Sequence, residues 1–103
     1  MDVSNFTEKS KEAITYASNV TTQNNNPEIT CLHMLMAFLE DKDSLISMLL
    51  KKMDVNIDSL KTMVQEEIEK FPKVTGNVDL RFSLDMEKAL DASQKQEIGR
   101  AHV

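Results

Sequence analysis

The longest nearly continuous apolar stretch of the chain is ITCLHMLMAFLE, residues 29–40, and the sequence around it is polar and charged. Pro27 disfavours helix before this stretch, and Thr30 is a candidate N-cap whose hydroxyl can accept a hydrogen bond from a first-turn N–H. The spacing therefore predicts a helix that begins near Cys31. Its apolar residues lie on both sides, so other helices must cover it. We expect Leu35 and Leu39 to be almost fully buried.

Four further helices are predicted from apolar residues that recur every three or four positions. They run over residues 8–24 after Thr7, 45–53 after Ser44 or Asp43, 57–71 after Asn56, and 84–98 after Ser83. In the third helix the predicted core face consists of Leu45, Ile46, Met48, Leu49 and Leu50. In the fifth helix the predicted inward residues are Leu84, Met86, Ala89 and Leu90.

Composition limits the class of protein. The chain has 103 residues, a net charge of −5 and one cysteine. The negative charge and the lack of a basic cluster argue against nucleic acid, and no apolar run is long enough to cross a bilayer. One cysteine excludes an internal disulfide, and the polar N-terminus has no secretory leader, so we expect a cytoplasmic location and no membrane association.

The fifth predicted helix repeats the first one. When Phe6 and Thr7 are aligned with Phe82 and Ser83, Ala13 falls on Ala89, and later positions also match. The chain thus divides into a first repeat of four helices (1–72), a linker (73–81) and the first helix of a second, truncated repeat (82–103).

Four motifs in this order and spacing carry a resemblance to a known family: FTEKSKEAI, the Ile-Thr-x-x-His start of ITCLHMLMAFLE, LLKKMDVNIDSL and FPKVTG. They resemble the N-terminal Clp repeat domain of the Clp/heat-shock AAA+ ATPases, with FPKVTG favouring the ClpB disaggregases. The resemblance implies an all-α fold of pseudo-symmetric four-helix repeats. Where the family usually has Gly after the third helix, this chain has Asp54, which is strained if that position is left-handed.

The resemblance also implies a function. The domain is expected to recognise exposed apolar segments of unfolded or aggregated proteins and to belong to a homohexameric ATPase. The implied client-contacting residues are Thr7, Leu80, Phe82 and Leu90. An alternative is docking of an adaptor or another folded partner, as in ClpC or ClpA unfoldases or type VI secretion Clp proteins. We also predict that the 103-residue chain self-associates through residues 82–98.

No catalytic constellation accompanies these features. The chain lacks the Walker A loop G-x-x-x-x-G-K-[ST], so we expect that it binds neither ATP nor Mg²⁺, which belong to the ATPase modules of the parent protein. Cys31 and His33 form a C-x-H pair without a second pair at zinc spacing. We interpret His33 as a packed, hydrogen-bonded ring at the start of the central helix. A small standalone enzyme is the third, remote alternative.

Overall fold

The computed structural model describes residues 7–76 and 79–101, with the side chains of 93–101 excepted. Its elements follow one another as α1 (Glu8–Gln23), β1 (Glu28–Ile29), α2 (Cys31–Glu40), α3 (Leu45–Lys52), α4 (Ile57–Glu69), β2 (Arg81–Phe82) and α5 (Leu84–Ala101). These bounds confirm the all-α prediction and the five predicted helices. None of the helices in the described residues is both long and apolar enough to cross a membrane.

Each of the five helices begins directly after a polar residue that was predicted as its N-cap, and the side chains of these residues make the expected bonds. Each accepts a hydrogen bond from a backbone N–H of the first turn: Thr7 from Ser10 at 3.2 Å, Thr30 from Leu32 at 3.2 Å, Ser44 from Ser47 at 3.1 Å, Asn56 from Ser59 at 3.0 Å, and Ser83 from Met86 at 3.2 Å. A capping side chain satisfies one of the backbone donors that a helix leaves without a partner at its start. The left-handed position after α3 is also confirmed, because Asp54 has φ 59°.

The core consists of two clusters on either side of α2. The first joins α1, β1, α2 and α5 through Ile14, Ala17, Ile29, Met34, Ala37 and Met86. The second joins α1, α2 and α4 through Val20, Met36, Leu39, Val64 and Ile68. Leu39 is 2% exposed, as predicted. The prediction for Leu35 was wrong: it packs at the edge of the second cluster and is only partly buried.

The predicted core face of α3 was wrong in part. Ile46 and Leu50 are half-buried, but three of its apolar side chains are exposed: Leu45 by 70%, Met48 by 50% and Leu49 by 49%. The buried residue is Ser47, whose hydroxyl donates to the carbonyl of Phe38 at 2.9 Å, beside a second bond from Ser44 at 2.7 Å. These two hydroxyls attach α3 to the end of α2 through its polar edge, which turns the apolar stripe outward.

The segment before α5 returns the chain to β1. β2 pairs in parallel with β1, with Glu28 opposite Arg81 and Ile29 opposite Phe82. Ser83 N–H then donates to the carbonyl of Ile29 at 3.0 Å. This two-residue pairing was not predicted, and it aims α5 at the first core cluster.

The inward face of α5 is narrower than predicted. Met86 is 4% exposed and Leu90 packs on the first cluster, because residues four apart share one side of a helix. Leu84 is 63% exposed and Ala89 is also exposed, since both lie away from that side. The helix therefore folds back on the first core cluster, and among its described side chains Leu84 is a large apolar residue that stays uncovered.

Candidate protein-binding surface

Three of the four predicted client-contacting residues come together. Leu80, Phe82 and Leu90 are partly buried and pack against the first core cluster. The β1–β2 pairing positions Leu80 and Phe82, and Leu90 reaches the same cluster from α5. We call these three residues the α5 patch. Their partly exposed apolar side chains, with the exposed Leu84 nearby in sequence, form a surface that suits apolar chain segments.

The fourth predicted residue, Thr7, is the N-cap of α1. Its hydroxyl is engaged locally, since it accepts from the N–H of Ser10 at 3.2 Å and donates to the Ser10 hydroxyl at 3.0 Å. Thr7 precedes Ile14 by two helical turns, so it lies on the side of α1 that faces the first cluster. The structure gives Thr7 a capping role.

His33 has the structural role inferred from the sequence. Its ring is fully buried, and Nδ1 accepts a hydrogen bond from the backbone N–H of Thr30 at 2.9 Å. Nε2 therefore carries the proton and donates to Oδ1 of the buried Asn26 at 3.0 Å. Asn26 in turn donates to the carbonyl of Pro72 at 3.2 Å. Burial lowers the pKa of His33 to about 4, so the ring is neutral at physiological pH.

Cys31 does not extend this network into a metal site. Its side chain is exposed, and its sulfur lies 4.0 Å from the thioether of Met86. Within the described residues, no group of three His, Cys, Asp or Glu side chains is arranged to hold a metal ion.

Sequence reasoning missed a groove beside α1. It has a volume of about 700 Å³ and lies between α1, the end of α2 and the start of α3. Its apolar walls are formed by Ala13, Tyr16, Ala37, Phe38, Leu45 and Ile46. Its charged lining consists of four carboxylates and one ammonium group, from Glu12, Glu40, Asp41, Asp43 and Lys9. Partial burial and the negative charge of Glu40 raise the pKa of Tyr16, against the opposing charge of Lys61. The sequence signal that could have indicated this groove is the apolar start of α3 directly after the acidic turn EDKD, residues 40–43.

The fold and the surface define an all-helical repeat domain with exposed apolar faces. Residues 5–102 match the family model described as the Clp repeat (R) N-terminal domain. Because this match covers nearly the whole chain, the protein belongs to the Clp repeat N-terminal domain family.

Several curated relatives share this region. The chain is 36% identical over 77 residues to the chaperone protein ClpB of Bacillus cereus, covering 75% of this chain and 9% of the relative. It is 31% identical over 91 residues to the ClpB of Rhodopirellula baltica, covering 88% of this chain and 10% of the relative. The chain therefore spans about a tenth of the length of the relatives that it matches.

A solved structure shares the fold. The Hsp104 N-terminal domain from Candida albicans superposes with a TM-score of 0.79 at 21% identity. The similarity covers 93% of this chain and 63% of the solved chain. The helical arrangement is therefore that of a Clp/Hsp104 N-terminal domain.

Proposed function

We propose that this chain is the client-recognition domain of a ClpB-like protein disaggregase and has no catalytic activity of its own. In this proposal it binds exposed apolar segments of unfolded or aggregated proteins through the α5 patch, with Thr7 at its margin. It then presents them to the ATPase modules of a cytoplasmic homohexamer. ATP and Mg²⁺ act in those modules.

The observation that carries the proposal is the convergence of Leu80, Phe82 and Leu90 in a member of this family. They come from two separate elements, yet they meet on one core cluster and stay partly exposed. A contiguous apolar patch that stays open to solvent is typical of a surface that binds other proteins. The identity to ClpB chaperones supports the same function.

Binding to an unstructured client tests the proposal. Casein is the probe, because it is an unfolded chain that needs no denaturant. Leu90→Ala should weaken casein binding about tenfold by removing a central apolar contact. Leu60→Ala is the matched control, since Leu60 is also partly buried but packs on the second cluster. Both variants lose stability, and only Leu90→Ala should lose binding.

Thr7 is tested separately, because a capping role and a contact role predict different results. Thr7→Ser retains the cap, and Thr7→Ala removes it at a cost of about 1 kcal/mol. A contact role requires Thr7→Ala to weaken casein binding more than its lower melting temperature explains.

Equal losses of casein binding in Leu90→Ala and Leu60→Ala would refute the client patch. Binding to one folded adaptor in place of casein would favour the docking alternative.

A further inference from the structure

The groove between α1 and α3 is lined by none of the three residues of the α5 patch. The two surfaces are neighbours in the core, because Ala13, Ala37 and Phe38 line the groove and also belong to the first cluster or pack on it. Tyr16 and Leu45 line the groove outside that cluster. An occupant that packs on Tyr16 and Leu45 therefore uses residues that the α5 patch does not contain. The inference below does not depend on the proposed client patch.

The groove has the size and the lining of a binding cleft. Its volume of about 700 Å³ falls within the range of about 300–1,000 Å³ that is typical of ligand clefts. Tyr16 is 40% exposed and Leu45 is 70% exposed, so apolar area remains open to an incoming side chain. Leu45 lies at the groove, whereas the other exposed apolar residues of α3, Met48 and Leu49, lie outside its lining.

The carboxylates decide which occupant fits. Asp41 lies 3.6 Å from the ammonium of Lys9, and Glu40 lies 2.6 Å from that of Lys61. Glu12 and Asp43 also line the groove, and within the described residues neither forms an ion pair. Two carboxylates are thus left without a cationic partner beside an apolar cleft. An anionic segment would be repelled there, and a cationic one would be attracted.

We propose that the α1–α3 groove is a second peptide-binding site, which takes an apolar protein segment flanked by lysine or arginine. An aromatic or aliphatic side chain of the segment packs against Tyr16 and Leu45. A flanking cation pairs with Asp43 or Glu12 at the rim. Because Arg and Lys keep long apolar stems, such a segment covers the lining and reaches the carboxylates at once.

A pair of short synthetic peptides tests this site. Both carry the same Phe and Leu anchors, and these are flanked by lysines in one and by glutamates in the other. The lysine peptide should bind more tightly, and its affinity should fall when the salt concentration rises from about 50 to about 300 mM. Asp43→Lys and Glu12→Lys should each weaken it by roughly two- to fivefold or more, since an exposed ion pair contributes about that much. Glu66→Lys, on α4 outside the groove, is the control for net charge.

The apolar contacts of the proposed site are tested by a variant inside the groove and a control variant outside it. Leu45→Ser should weaken the lysine peptide by roughly tenfold, because Leu45 would be a central contact. Leu49→Ser alters the same helix outside the groove and should leave binding unchanged. Both leucines are about half exposed or more, so both variants are expected to fold.

Three results would overturn the proposal. The first is equal affinity for the lysine and glutamate peptides, or binding of neither. The second is an equal effect of Glu66→Lys and Asp43→Lys. The third is loss of lysine-peptide binding in Leu90→Ala without loss in Leu45→Ser, which would place the peptide on the α5 patch. If casein does not bind at the α5 patch, the three peptide-binding comparisons can still be made. The client patch and the α1–α3 groove are therefore tested separately.

Discussion

Replacing His33 by glutamine should remove a specific part of the acid sensitivity of this fold. Gln at this position can still accept the N–H of Thr30, since Ser/Thr-x-x-Glu/Gln is the usual capping box, but it cannot titrate. The fully buried ring of His33 has a pKa of about 4, compared with 6.5 for an unperturbed histidine. Between these values the unfolded chain binds a proton that the folded chain does not, so stability falls as the pH falls.

The size of the effect follows from the shift in pKa. One pKa unit corresponds to about 1.4 kcal/mol, so lowering the pH from above 6.5 to about 4 should remove about 3 kcal/mol from the free energy of unfolding. Burial disfavours the charged ring, and a doubly protonated ring could also no longer accept the hydrogen bond from the N–H of Thr30. The glutamine variant lacks this pH-dependent loss of stability, because glutamine does not titrate. At neutral pH it should be less stable by about 1–3 kcal/mol, because the buried Oδ1 of Asn26 loses its donor.

Urea unfolding followed by far-UV circular dichroism measures both quantities. The free energy of unfolding is determined for the wild type and His33→Gln at several pH values between about 7.5 and about 4. The two proteins differ only at residue 33, so the difference between the two curves isolates His33. The difference in free energy of unfolding, wild type minus variant, should fall by about 3 kcal/mol toward low pH, so that the advantage of the wild type disappears or changes sign. Parallel curves, or an NMR titration that places the His33 pKa near 6.5, would refute the reasoning.

Three further predictions concern stability and assembly. Leu39→Ala should cost about 2–5 kcal/mol in chemical denaturation, and Leu35→Ala should cost less because Leu35 is only partly buried; equal costs would contradict the assigned packing. Asp54→Gly should raise the free energy of unfolding by about 0.5–1 kcal/mol by relieving φ 59°, whereas Asp54→Ala should not raise it. We propose that the 103-residue chain self-associates through α5 and its exposed Leu84, so light scattering should detect dimers that Leu84→Glu abolishes. A wild-type chain that stays monomeric at high concentration would contradict this assignment.

Local signals were read correctly from the sequence because their physics is local. A capping hydroxyl or amide needs only the next few residues, which is why Thr7, Thr30, Ser44, Asn56 and Ser83 were identified in advance. The motif-based resemblance added the fold and the family. It also supplied the candidate residues Leu80, Phe82 and Leu90, which periodicity alone would not have selected.

The misassigned face of α3 has a nonlocal cause. LISMLLKK carries apolar residues around most of its circumference, so the pattern does not say which side is buried. The choice is made by the carbonyl of Phe38, which receives the hydroxyls of Ser44 and Ser47. A helix held by two serines can expose its leucines. The groove beside it was missed for the same reason, since its walls come from three separate helices.

The parallel contact between β1 and β2 also depends on distant residues. Each strand has two residues, too few for an alternating pattern to be recognised. The pairing of Ile29 with Phe82 depends on where α1, α2 and α5 already lie. This contact decides that Met86 and Leu90 are covered and Leu84 is not.

The central claim, that the α5 patch binds unfolded protein, is tested most directly by titrating the isotope-labelled chain with casein and following backbone amide resonances. We predict that the resonances of Leu80, Phe82 and Leu90 shift or broaden in a saturable way, and that those around Leu60 on the second cluster do not. The Leu90→Ala chain should show these changes only at casein concentrations about tenfold higher. Saturable binding that leaves residues 80–90 unperturbed would contradict the claim.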